Sequence, residues 1–393
     1  MRKSRALNTA FLLGAIFVLV GANSALADEN NYDAIADSMV NESLAIRPGE
    51  MVVISGNPSE IDLMAALQVA VSKAGGQPLL SLNIPEANKR AAMEMPLEHI
   101  AQLPTQNLLL TKMTDVFINV GSIQEPGLFA DVPEERLAAF RKSAVPLSRA
   151  YSNMRFRSAT LGQTGGIPTV AYAESVGADA GELQKIFWEA IAVSPGDLIP
   201  TATKVTSLMT PGAEIRVTSK AGTDLRLKFD HTPARINAGR TADVEAPTGP
   251  TNVWLPAGEA YGCVHGASGT LVVPWTSFRG MPIENLKLTF IDGAVTKMSA
   301  DSNQAMLEEF FSASSATLKN ASLVDIGLNP HSRSPKGTHY YSWEMGGMLT
   351  VLLGNNAWAG GDNDSDAQLG LHVPGTTVSI GGKSVMKNGQ LTL

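Results

Sequence analysis

The segment Asn252-Val253-Trp254-Leu255-Pro256-Ala257-Gly258-Glu259-Ala260-Tyr261 decides how this chain is read. An apolar stretch ends in Pro256-Ala257-Gly258, a turn in which proline fixes φ and glycine permits backbone angles closed to other residues. Glu259 follows at once. Val253, Trp254 and Leu255 would hold that turn against a core, which presents the carboxylate at a fixed place. A second block completes the picture: Ile326-Gly327-Leu328-Asn329-Pro330, then Gly347-Met348-Leu349-Thr350-Val351-Leu352-Leu353-Gly354-Asn355-Asn356, and Gly360-Gly361-Asp362-Asn363-Asp364-Ser365.

Upstream, from Tyr32 to about Met209, helical and strand signals alternate. Tyr32 to Leu44 has amphipathic spacing and stops at Arg47-Pro48-Gly49. Met51 to Ile54 reads as a short apolar strand, Asn57-Pro58-Ser59-Glu60 as a helix start, and Gly75-Gly76 as the stop after Lys73. Leu79 to Ile84 and Val116 to Val120 give two further strands, and Pro133 to Ser143 a helix. Strands separated by helices imply a parallel sheet covered on both faces. Gly162-Gln163-Thr164-Gly165-Gly166 is followed by Ile167-Pro168, not by a helix start, and reads as a loop; no G-x-G-x-x-G dinucleotide fingerprint follows any strand.

Near residue 210 the pattern turns to β structure. Glu214 to Val217 and Asp224 to Phe229 alternate at period two around Lys220-Ala221-Gly222, and a second hairpin turns at Asp292-Gly293. One helix, about Ser302 to Ser314, interrupts the strands, and Thr377 to Ile380 precedes turns at Gly381-Gly382 and Asn388-Gly389. The expected architecture is an α/β N-terminal domain with a parallel sheet over residues 28–210. A mixed, mostly antiparallel α+β domain over 211–393 follows, with Pro195 to Thr201 as part of the connection.

Arg2, Lys3 and Arg5, the apolar run Ala10 to Ala22 and Ala25-Leu26-Ala27 form a signal peptide over residues 1–27, so the mature chain is expected to begin near Asp28 and to be exported. Its removal takes three positive charges from 30 Lys+Arg against 37 Asp+Glu, moving the net charge from −7 to 27 − 37, about −10. An acidic protein repels phosphate backbones and anionic lipid, so neither nucleic acid nor a membrane surface is expected as partner. The sole cysteine, Cys263, excludes an intrachain disulfide and reads as a small buried hydrophobe.

The Pro-Ala-Gly-Glu turn, the C-terminal block, Ile46-Arg47-Pro48-Gly49-Glu50-Met51-Val52 and Gly222-Thr223-Asp224-Leu225 occur in an order that resembles the metallo-aminopeptidases of the aminopeptidase T and aminopeptidase S type. That resemblance implies a two-domain, dimeric exopeptidase with two metal ions held by glutamates, two histidines and an aspartate, the metals activating a water for attack on the first peptide bond. Carried over residue by residue, Glu259 falls on the first glutamate ligand. Leu323 falls on the second, with Asp325 two residues on and facing the same side of a strand. Thr350 stands at a histidine position, and Gln368 and Gly370 stand at the closing His-x-Asp pair, while Glu344 corresponds to a preceding acidic ligand. Threonine, glutamine and glycine do not replace imidazole and carboxylate on a divalent ion.

Glu259 and Glu344 are therefore the metal-ligand candidates, with His265, His339 and His372 as substitutes available to a rebuilt site, and at most one divalent metal ion is expected. Asp362, Asp364 and Asp366 lack the full EF-hand pattern and read as an acidic solvated loop more readily than as a calcium site. Tyr340, Tyr341 and Trp343 either line a ligand pocket or pack a β-rich core. No G-x-S-x-G elbow supports serine hydrolysis. Two readings remain: an exported peptide hydrolase with a rebuilt metal site, or a non-catalytic relative that binds a peptide or small molecule in the cleft between its domains. In either case the chain is expected to be a homodimer.

Overall fold

A computed structural model describes residues 32–163, 166–243 and 251–393. The signal peptide lies outside these residues, as do Thr164 and Gly165 of the glycine-rich loop. Strands β1 (Met51–Gly56), β2 (Gln77–Leu82), β3 (Val116–Val120) and β4 (Arg157–Leu161) form a parallel sheet. The central positions of β1 and β3 are buried on both faces, which explains their unbroken apolar runs. Helix Ile61–Lys73 buries Leu63, Met64, Leu67 and Val71 against the sheet.

The remaining strands are β5 (Glu214–Ser219), β6 (Asp224–Phe229), β7 (Arg235–Asn237), β8 (Thr251–Leu255), β9 (Glu259–Phe278), β10 (Met281–Ile291), β11 (Ala294–Ser299), β12 (Ala321–Gly327), β13 (Leu349–Gly354), β14 (Gln368–Val373), β15 (Thr376–Ile380), β16 (Lys383–Lys387) and β17 (Gln390–Leu391). All but β8 build one 12-stranded sheet whose main path runs β14-β13-β12-β9-β6-β5-β15-β16-β17. Both expected hairpins are present, β5 with β6 and β10 with β11. β8 instead completes the parallel sheet in the order β2-β1-β3-β4-β8. The chain thus returns to the first domain after residue 210, and only Pro256, Ala257 and Gly258 separate the end of β8 from Glu259 at the start of β9.

Pro195 to Thr201, read as part of the connection between domains, is helical. It lies within helix Pro195–Thr206, where Pro195 occupies the first turn and gives up an amide that has no intrahelical acceptor. The helix from Pro133 runs on to Asn153, past Ser143. Its Glu134, 4% exposed, pairs with Arg141 and with Arg279 at the turn between β9 and β10, tying the two domains together. Among the described residues, no helix is long and apolar enough to cross a membrane.

β12 and β13 are buried along their whole length because both faces are covered. One face, with Ala260, Val324, Ile326, Val351 and Leu371, belongs to the large core of the second domain. The other turns toward the first domain and carries Tyr261, Cys263, Leu323 and Leu352 beneath Trp254, Trp343 and Trp358.

Candidate functional site

That second face holds the site. Strand register sets a row across it: Arg235 opposite Tyr261, Tyr261 opposite Asp325, Asp325 opposite Thr350, and Thr350 opposite His372. A parallel row reads Cys263, Leu323, Leu352 and Gly370. Directly paired residues of antiparallel strands point to the same side, so each row is one line of side chains on this face.

The turn before Glu259 is fixed by the other segment singled out in the sequence. Asn329 Nδ2 donates to Ala257 O at 2.7 Å and to Ala190 O at 2.9 Å, and Leu328 N donates to Gly258 O at 2.8 Å. Gly258 has φ +126°, and a Cβ there would meet Asn329 at 2.8 Å, so glycine is required. Glu259 itself is 2% exposed, and its Oε2 accepts from Asn237 Nδ2.

Asp325 is the diagonal neighbour of Glu259 on this face of the sheet. Its Oδ1 is buried and has no hydrogen-bond partner. Burial raises both carboxyls above the ordinary range, and the charge of Glu344 raises both further, while Asn237 opposes the rise at Glu259. A shared proton is what two desolvated neighbouring carboxyls require. The pair opens into a cavity of about 280 Å³ walled by Trp254, Tyr261, Trp343 and Trp358, with Gln163 and Gln368 at its edge.

Glu344 is 1% exposed, but Ser332 Oγ donates to its Oε1 at 2.8 Å and Ser342 Oγ to its Oε2. Its backbone O accepts from Asn329 N at 2.8 Å, so it braces the loop that holds Asn329. The three histidines do not converge on Glu259. His265 is exposed on β9. His339 stacks on Trp275, ring centroids 4.7 Å apart. His372 accepts or donates at Nδ1 with Thr350 Oγ1 at 2.8 Å and lies two strands from Asp325, roughly 9.5 Å away by strand spacing.

The positions assigned to the closing metal ligands are otherwise engaged. Gln368 Oε1 accepts from Trp358 Nε1 at 3.2 Å. A Cβ on Gly370 would lie 2.7 Å from Trp343 Cζ2, so the indole fills the space into which a side chain there would project. Among the described residues, no three His, Cys, Asp or Glu side chains group as a metal centre. The donor set present, two neighbouring carboxyls without imidazole, does not fit a pair of divalent ions.

The acidic loop is also spoken for: Asp364 pairs with Arg149, and Asp366 Oδ1 accepts from Ser315 N at 2.7 Å. Cys263 is 1% exposed with its thiol pushed up to about 12 by burial, which makes it inert.

Residues 28–334 match the thermophilic metalloprotease (M29) family. The chain belongs to that family. Its fold is similar to that of wild-type AmpT from Thermus thermophilus, with TM-score 0.69 and 14% identity, covering 93% of this chain and 100% of the other. It is also similar to 2,5-dihydroxypyridine dioxygenase from Pseudomonas putida KT2440, with TM-score 0.58 and 14% identity, covering 92% and 96%. No curated protein matches the chain in sequence.

For this M29 member, the aminopeptidase-like sequence order thus corresponds to the two-domain fold. Asp325, placed second to position 323 by sequence spacing, is the residue brought to Glu259. Leu323 on the same face is fully buried among Tyr261, Cys263 and Leu352. Trp343, read from the sequence as lining a pocket or packing a core, lines this cavity, whereas Trp358, Asn237 and Gln163 were not singled out as site residues. The period-two run Glu259, Tyr261, Cys263 identifies a pocket-facing side of β9, but nothing local says which residues of other strands stand against it.

Proposed function

We infer that this chain binds the protonated amino end of a peptide, or another small amine, between its domains, and that it does not perform two-metal peptide hydrolysis. The observation that carries this reading is the Trp343 indole in the space a residue-370 side chain would need. A buried carboxyl pair with one unpartnered oxygen attracts a hydrogen-bond-donating cation, and the surrounding rings add cation–π attraction of about 0.5–2 kcal/mol. The fold leaves the chemistry open, since a similar structure belongs to a dioxygenase.

A second reading keeps one divalent ion on Glu259 and Asp325, favoured by the same unpartnered Oδ1. Metal analysis of the mature protein, an assay on aminoacyl reporter substrates and calorimetry with alaninamide separate the two. The amine reading expects alaninamide binding that Asp325→Asn abolishes, without turnover. Two tightly held ions with vigorous turnover would overturn it; one ion that weakens with Glu259→Gln supports the second reading.

Export and a homodimer belong to the same proposal. N-terminal sequencing of exported material should start near Asp28, and the mass in solution should be that of two chains.

A further inference from the structure

Among the described residues, four buried side-chain nitrogen and oxygen atoms lack a hydrogen-bond partner, and two of the four line the Glu259–Asp325 cavity. They are of opposite kind. Asp325 Oδ1 accepts, and Gln163 Nε2 donates. A buried polar atom without a partner is costly, so an acceptor and a donor left open in one space suit an occupant that bonds both.

The walls of the same cavity are aromatic. Trp254 comes from β8 of the first domain, Tyr261 from β9, Trp343 from the segment between β12 and β13, and Trp358 from the turn after β13. The Trp254 ring stands at 78° to Trp358 and at 74° to Tyr261, with centroids 5.2 and 6.1 Å apart. Rings at such angles form a corner, which leaves π surface turned to the cavity. Trp358 is held from two sides: its Nε1 donates to Gln368 Oε1 at 3.2 Å, and Arg235 Nη1 donates to its backbone O at 3.3 Å. With that N–H spent, the indole offers the cavity no donor. Trp343 stands edge-on to His372, centroids 5.6 Å apart at 89°, in the room that Gly370 leaves.

This combination discriminates among cations. A primary ammonium brings three N–H donors, and one buried acceptor stands open to them, so the others would lose water to ring faces without gaining a carbonyl or carboxylate. Methyl groups on the nitrogen remove those donors and present apolar surface that carries the positive charge. Aromatic cages recognise quaternary ammonium in this way. The carboxyl pair beside the rings supplies the opposite charge. Gln163 Nε2 adds the requirement of an oxygen on the same molecule, and a neutral one, because a carboxylate would face Glu259 and Asp325. The volume of about 280 Å³ keeps the occupant small.

We propose that this cavity takes a small methylated ammonium alcohol, the choline class, with its cationic head among the four rings beside Asp325 and its hydroxyl oxygen accepting from Gln163 Nε2. The assignment rests on the small-amine branch of the reading above and narrows it to methylated nitrogen.

Calorimetry of the mature protein with choline, ethanolamine, tetramethylammonium, 3,3-dimethylbutan-1-ol and alaninamide tests it. Choline should bind roughly tenfold more tightly than ethanolamine, which has the same hydroxyl and a primary ammonium, and than dimethylbutanol, its uncharged isostere. It should also bind more tightly than tetramethylammonium, which lacks the hydroxyl, and Gln163→Leu should abolish that difference. Trp358→Leu, with an unchanged thermal midpoint, should weaken choline by about tenfold; the ligand series on the unaltered protein reads the same discrimination where that variant does not fold. Ethanolamine or alaninamide binding as tightly as choline would overturn the methylated head and leave the amine reading standing. Dimethylbutanol binding as tightly as choline would overturn both, since charge would then play no part. Equal affinity for tetramethylammonium and choline would overturn the role of Gln163. Binding of none of the five would overturn this proposal and the amine reading together.

Discussion

Asp325 on β12 and Glu259 at the start of β9 stand diagonally across from one another, the register placing Asp325 opposite Tyr261 and Glu259 opposite Gly327. The two carboxyls are on one face, and a Cβ at Gly327 would meet the backbone of residues 343–345, so glycine there lets that segment close over the strand. Both are removed from water, so both are held above the ordinary carboxylate range.

Their burial makes stability depend on pH in a stated direction. Folded-state pKa values above the unfolded ones mean that, above about pH 4.5, the native protein keeps protons that the unfolded chain has released. Stability should therefore fall as pH rises from that point toward neutrality and beyond. Glu259→Gln, which leaves a neutral group in the same place, should flatten this decline; thermal midpoints measured from pH 5 to 9 check it.

His372 acts with the opposite sign. Burial depresses its imidazole to about 4, so the native ring stays neutral while the unfolded one protonates below 6.5. The resulting stability is present above pH 6.5 and lost as pH falls toward 4, on the order of 3 kcal/mol in all. His372→Asn should reduce the slope of denaturant-derived stability across this window.

Gly370→Ala should destabilise by about 1–3 kcal/mol, because the new methyl meets the Trp343 ring at 2.7 Å. In a Trp343→Ala background the same change should cost little. A double-mutant cycle by urea unfolding measures the coupling, and additive effects would show that the indole is not what fills this space.

Glu134→Gln leaves two guanidinium groups, Arg141 and Arg279, without a carboxylate in a site where the glutamate is 4% exposed. The expected loss is about 3–5 kcal/mol. Because the pair with Arg279 joins the two domains, limited proteolysis should also accelerate.

Much of the architecture was legible because local signals agree with it. Period-two alternation gave the β5–β6 hairpin and Asp292-Gly293 gave the β10–β11 turn, each a relation between residues a few positions apart. The exchange of β8 into the first sheet was not legible, since Thr251–Leu255 carries no mark of which sheet it joins. The same holds within the site. Sequence placed Glu259 on a fixed turn and Cys263 in a core, and the family resemblance marked Glu344 as an acidic position, but its two serine partners were not legible.

By itself the sequence determined the α/β-then-antiparallel order, the Pro-Ala-Gly presentation of Glu259 and the lack of histidine at positions 350 and 368. Only the tertiary structure decided that Asp325 is the neighbour of Glu259, that His265, His339 and His372 stand apart from it, and that Trp343 occupies the space beside Gly370. The physical reason is that a turn is fixed by backbone angles of adjacent residues. A site assembled across β9, β12, β13 and β14 depends on strand register and on what the facing domain packs against it, and a shift of two residues in register keeps every side chain on its face while changing every neighbour.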